Sequence, residues 1–79
     1  MDKLYDAVAE ILVNQFDVEA GKIEPDASFA DINLDSLSQI ELVAVLRKKF
    51  GIELTDDEMA ELSVVSEIVT TLAEKGVAA

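Results

Sequence analysis

NLDSLSQIELVAVLRKKF, residues 33–50, reads as a turn followed by one amphipathic helix, and the rest of the chain can be laid out around it. Ser36-x-x-Gln39 has the spacing of a capping box, with Asp35 as an alternative cap one residue earlier, and Gly51 stops the helix after Phe50. Successive helical residues turn by ~100°, which puts Leu42, Val43, Leu46 and Phe50 on one side. Leu37, Glu41, Ala44 and Lys48 fall on the other, with Ile40 between the two sets. The first set is a core face. The second places apolar side chains beside charges on a side that a bundle leaves outward, a pattern that fits either a partner surface or packing beneath a neighbouring loop.

On the N-terminal side, residues 2–16 read as a first helix, with Leu4, Val8, Ile11 and Leu12 on one stripe. Asp2 and Asp6 near its start suit the positive end of the helix dipole. From Asp17 to Asp35 the periodicity lapses, and Gly21, Pro25 and Asn33 act as breakers in a long loop. Ile23, Phe29, Ile32 and Leu34 are expected to pin that loop to the core. On the C-terminal side, Thr55-x-x-Glu58 is a second capping box, opening a short helix to about Leu62. Ser63 is then placed to cap a fourth helix carrying Val65, Ile68, Val69 and Leu72 before Gly76. No strand is expected. The economical assembly is an all-α, antiparallel four-helix bundle, with three longer helices, a short third helix and a long loop between helices one and two.

Composition removes most catalytic chemistry. Seventy-nine residues make a single domain, 1–79, near the lower limit for a core without staples. Cysteine and histidine are both absent, so disulfides, thiolate nucleophiles, sulfur-ligated metals and the usual general base are excluded. Six Lys plus Arg against seventeen Asp plus Glu give a net charge of −11, which disfavours nucleic acid and anionic membranes and favours basic protein partners. At 51% hydrophobic the chain is not of the disordered acidic type. No apolar run reaches the ~20 residues of a membrane span, and Met1-Asp2-Lys3 does not open a signal segment. A soluble, cytoplasmic, monomeric protein is expected, and Met1 with Val77-Ala78-Ala79 suggests a free-standing one. Neither 26–37 nor 56–67 has the pattern of a calcium-binding loop.

Ser36 is the residue that needs an explanation. As a nucleophile it lacks a recognisable base and oxyanion site, and Asp35 beside it is more readily a cap. As a cap it would satisfy backbone N–H groups, for about 1 kcal/mol. As a substrate of another enzyme it would hold an attached phosphate where free N–H groups and the helix dipole stabilise negative charge.

FADINLDSLSQIELVAVLRKKFGIEL, residues 29–54, resembles the recognition stretch of acyl carrier proteins. Asp35-Ser36-Leu37 matches the signature of that family, Ile40-Glu41-Leu42-Val43 the helix after it and Phe50-Gly51-Ile52 its end, and length, acidity and loop pattern agree over essentially the whole chain. The resemblance implies that Ser36 receives 4'-phosphopantetheine from coenzyme A through a phosphopantetheinyl transferase, and that the arm's thiol carries acyl groups as thioesters. It implies a non-catalytic carrier, with Leu37, Ile40, Glu41 and Ala44 docking on basic surfaces of the transferase, a ketosynthase, an acyltransferase and other pathway enzymes. Asp35 would contribute charge beside the attachment point, and Asp56, Asp57 and Glu58 are candidates for secondary contacts. Leu42, Leu46, Phe29, Met59, Leu62 and Ile68 are either ordinary core or the walls of a shelter for the acyl chain.

The sequence departs from the family pattern in three places. Asn33 stands where the family commonly has Gly, and Asn is the next best residue for a positive φ. Arg47-Lys48-Lys49 replaces the usual continuation of an acidic face, and Ser38 replaces a common acidic residue. Asn33 is expected to preserve the turn, whereas the three cations together with Ser38 favour a dedicated polyketide or other specialised carrier over a general fatty acid carrier. A peptidyl carrier and an acidic helical interaction module without a prosthetic group are the alternatives.

Overall fold

The computed structural model describes residues 3–77 and holds four α-helices: α1 (Lys3–Phe16), α2 (Ser36–Phe50), α3 (Asp56–Ala60) and α4 (Val65–Glu74). The expected all-α fold is observed, and among the described residues strand-like pairing is limited to an isolated bridge between Ser28 and Val64. The expected helix start at residue 2, with Asp2, and the terminal Ala78-Ala79 lie outside the described residues. α1 packs on α4, and α2 on α3. Leu4, Val8, Ile11 and Leu12 of α1 are all buried, as are Leu42, Val43 and Leu46 of α2, while Phe50 is half-buried against the same core. Among the described residues no polar or charged side chain is buried, so this core rests on apolar burial alone.

The loop from Asp17 to Asp35 is held rather than free. Phe29, Ile32 and Leu34 are buried and Ile23 is half-buried against the core, as their apolar character predicts. A 3₁₀ turn, Ala20–Lys22, interrupts the loop where no regular structure was expected. The loop then hydrogen-bonds to the start of α4: Phe29 N–H donates to the Ser63 carbonyl at 3.2 Å, Val65 N–H to that of Ala27 at 3.0 Å and Ser66 N–H to that of Pro25 at 2.8 Å. These bonds satisfy two donors that a new helix otherwise leaves without partners.

The same bonds explain why Ser63 does not cap α4. Val64 occupies the cap position, and the Glu67 carboxylate reaches back to the N–H groups of Ser63 at 2.8 Å and Val64 at 3.1 Å. The Thr55–Glu58 capping box forms as expected, but α3 ends at Ala60 rather than near Leu62. Helix ends follow the rules for left-handed residues. Gly51, at φ 64°, ends α2 with its N–H on the Arg47 carbonyl. Gly76, at φ 90°, closes α4 in a Schellman arrangement, with Val77 N–H on Leu72 and Gly76 N–H on Ala73.

Candidate functional site

Three short turns aim the start of α2. Ser28 and Asp31 exchange hydrogen bonds, each side chain accepting from the other's N–H at 3.1 Å. Asn33 then takes φ 58°, the positive value expected of it, while its N–H reaches the Ala30 carbonyl and Leu34 N–H reaches that of Phe29 at 2.8 Å. With Leu34 buried, the next residue must emerge at the surface, and there the chain turns into α2.

Asp35 is the cap. Its backbone is extended (φ −77°, ψ 179°) and its Oδ1 accepts from Ser38 N–H at 2.8 Å. The capping box expected at Ser36 and Gln39 does not form. Ser36 is already the first helical residue, so its side chain cannot turn back on the third N–H, and Gln39 instead donates from Nε2 to the Leu34 carbonyl at 3.0 Å. Donation from Ser38, first by its N–H and then by its hydroxyl, with a smaller contribution from Leu37 N–H, holds the Asp35 carboxyl below the usual carboxylate range. A fixed negative charge therefore sits next to Ser36 at neutral pH. Ser36 itself is exposed, and its hydroxyl has no hydrogen-bond partner among the described residues.

Ser36 stands at the rim of a hollow of about 290 Å³ between α2 and α3, lined by Gln39, Ile40, Asp56, Asp57, Met59 and Ala60. The hollow brings Ser36, Ile40, Asp56 and Asp57 together, although twenty residues separate Ser36 from Asp56 in the sequence. Gln39 and Ala60 complete the lining; Gln39 was legible only as a capping residue, and Ala60 carried no signal. Met59 lines the hollow and belongs to the buried core that also holds Leu42, Leu46, Phe29 and Ile68, while Leu62 is half-buried.

Leu37, Glu41 and Ala44 lie on the outward face of α2 and are exposed. Leu37 is 65% exposed and Ile40 51%, and they are the large hydrophobic side chains that the described surface leaves in water. The alternative in which they pack beneath the long loop is therefore excluded. Glu58 is differently employed from Asp56 and Asp57. Its Oε2 pairs with Lys75 Nζ at 2.7 Å and its Oε1 accepts from Thr55 N–H, and these two partners, Lys75 first, hold its carboxyl below the usual range. Among the described residues no group of three or more acidic side chains is placed to hold a metal ion, and no helix is long and apolar enough to cross a membrane.

A family model described as "Phosphopantetheine attachment site" matches residues 6–72. A protein of Picosynechococcus sp. named "Acyl carrier protein" is 35% identical over 74 residues, which cover 92% of this chain and 91% of the relative. The "Acyl carrier protein" of Thermosynechococcus vestitus gives the same identity and coverage. That of Thermobifida fusca is 34% identical over 68 residues, 85% of this chain and 86% of its own.

Proposed function

This chain belongs to the acyl carrier protein family, and on that premise we propose that Ser36 is the residue of a single domain, 1–79, that receives the prosthetic group, and that the loaded protein serves a dedicated polyketide-type pathway. It is a carrier and not an enzyme, and its cofactor is 4'-phosphopantetheine. When bound, the group supplies the terminal thiol that a chain without cysteine lacks, and acyl cargo rides on it as a thioester.

The observation that supports Ser36 is the division of labour at the start of α2. Asp35 takes the capping hydrogen bond, which leaves the adjacent hydroxyl exposed and uncommitted. Such a hydroxyl fits a phosphodiester link. The first turn of α2 offers the positive end of a helix dipole, and the hollow beside Ser36 gives an attached arm an apolar wall in Ile40 and Met59. In loading, Ser36 Oγ forms the new bond to phosphorus, the pyrophosphate bond of coenzyme A breaks and the nucleotide half departs. The hydroxyl proton passes to a base of the transferase, since this chain has no histidine to take it. Asp35 offers the transferase a fixed negative charge next to the reacting oxygen.

Leu37, Ile40, Glu41 and Ala44 form the docking face for the transferase, ketosynthase and acyltransferase, with Asp56 and Asp57 across the hollow as a second contact. The net charge of −11 supports a monomer with basic partners. Ser38 and the cationic end of α2 support the specialised pathway, because they alter the face that a general fatty acid ketosynthase reads. Two measurements test this reading. Fragment masses after loading must place the added group on Ser36; placement on Ser28, Ser38 or Ser63 refutes it. In a competition assay a housekeeping fatty acid ketosynthase should prefer its own carrier, and equal use of both would remove the pathway assignment.

A further inference from the structure

Arg47, Lys48 and Lys49 hold half of the chain's six cations in the last turn of α2. All three are exposed, and none forms an ion pair among the described residues, where the single pair is Lys75 with Glu58. Seventeen acidic residues in the same small protein thus leave these cations open to other molecules. Stabilising the negative end of the helix dipole accounts for cations in this turn, but not for their side of the helix. Lys48 lies seven residues after Glu41 and eleven after Leu37, and rotation by ~100° per residue returns it to the middle of the stripe formed by Leu37, Glu41 and Ala44. Arg47 falls likewise in line with Ile40, seven residues before it. Beside this end of α2, Lys48 and Lys49 line a groove of about 590 Å³ together with Ala44, Val45 and Gln15 of α1.

We propose that the outward face of α2 is a two-signed docking surface, and that its partner enzyme presents a carboxylate-bearing segment to Lys48 and Lys49 as well as a basic group to Glu41. At 1.5 Å per residue the two charge sites are separated by ~10 Å along the helix, and Lys48 lies ~18 Å from Ser36. The partner's acidic segment therefore meets this protein well away from Ser36 and from the entrance of the partner's own active site. A uniformly basic partner surface fits the Glu41 end and is repelled at the Lys48 end, so the arrangement selects against it. A uniformly acidic surface is repelled by the rest of the chain. The inference rests on the carrier reading, since it concerns which enzyme reads the loaded protein.

The test compares wild-type protein with Lys48→Glu, Lys48→Ala and Glu41→Lys. Each is first driven to complete loading, confirmed by intact mass, so a failure of the carrier reading is seen before docking is measured. The probe is the ketosynthase of the source organism that turns over the loaded wild type fastest. Lys48→Glu is expected to lower kcat/KM by about tenfold and Lys48→Ala by about threefold, through KM, and Glu41→Lys also lowers it. The sign decides. An unchanged or raised kcat/KM for Lys48→Glu, with unaltered circular dichroism, overturns the proposal, because a wholly basic partner gains from an added carboxylate.

Discussion

Leu37 and Leu46 are the same residue type on the same helix, nine residues apart, and the structure puts them in opposite surroundings. Leu46 is completely buried, whereas Leu37 leaves 65% of its surface in water. Full burial of a leucine side chain contributes about 2 kcal/mol, so the third of Leu37 that is covered accounts for about 0.7 kcal/mol. Replacement by alanine, a slightly better helix former, costs no more than that. Leu46→Ala also leaves a cavity and costs about 3 kcal/mol. For a domain of this size each kcal/mol lowers Tm by about 4–8 °C, so Leu37→Ala lowers it by at most ~6 °C and Leu46→Ala by at least ~12 °C. Docking reverses the order. Covering the exposed part of Leu37 against a partner gains about 1.3 kcal/mol, and its loss raises the KM of a ketosynthase for the loaded carrier about ninefold. Calorimetry and steady-state kinetics on the two variants measure both quantities. Equal thermal losses would refute the assignment of the outward face, and an unchanged KM for Leu37→Ala would refute its use in docking.

Three further outcomes follow from the charges and turns. Asp35 and Glu58 have folded-state carboxyls held below their usual range, so the stability they contribute is present above the unfolded value of about 4 and is lost as pH falls through the lower folded values. The Tm gap between wild type and Asp35→Asn/Glu58→Gln should narrow below about pH 4, and a gap constant from neutral to acid pH contradicts this. Screening of the −11 net charge by salt or millimolar magnesium should raise Tm, and a melting curve indifferent to ionic strength counts against it. Gly51→Ala should cost about 1 kcal/mol through φ 64° alone, because an added Cβ meets nothing within 4 Å; equilibrium denaturation checks this, and no loss would contradict the cap.

The second helix was legible because three independent signals coincide in it: an apolar stripe, a polar start and Gly51. The pinned loop was legible from Phe29, Ile32 and Leu34, apolar residues with no helical spacing to explain them. Caps were not. Asp35 and Ser36 both suit a helix start, and the choice depends on which backbone remains extended, a property set by the turn at Asn33 and by the burial of Leu34. At α4 the sequence offered Ser63, but loop carbonyls from Pro25 and Ala27, nearly forty residues away, had already supplied acceptors. The signal that was present was Glu67, three residues after the cap position. The hollow beside Ser36 depends on how α3 lies against α2, a long-range placement that local pattern does not encode.

Covalent loading separates an attachment role for Ser36 from a purely structural one. Purified protein and Ser36→Ala are incubated with coenzyme A, magnesium and a broad-specificity phosphopantetheinyl transferase, and their intact masses are compared. Because Ser36 makes no capping bond, the variant should melt within a few degrees of wild type. One added phosphopantetheine is expected on the wild type and none on the folded variant. Addition to Ser36→Ala, or none to folded wild type, would contradict the attachment role.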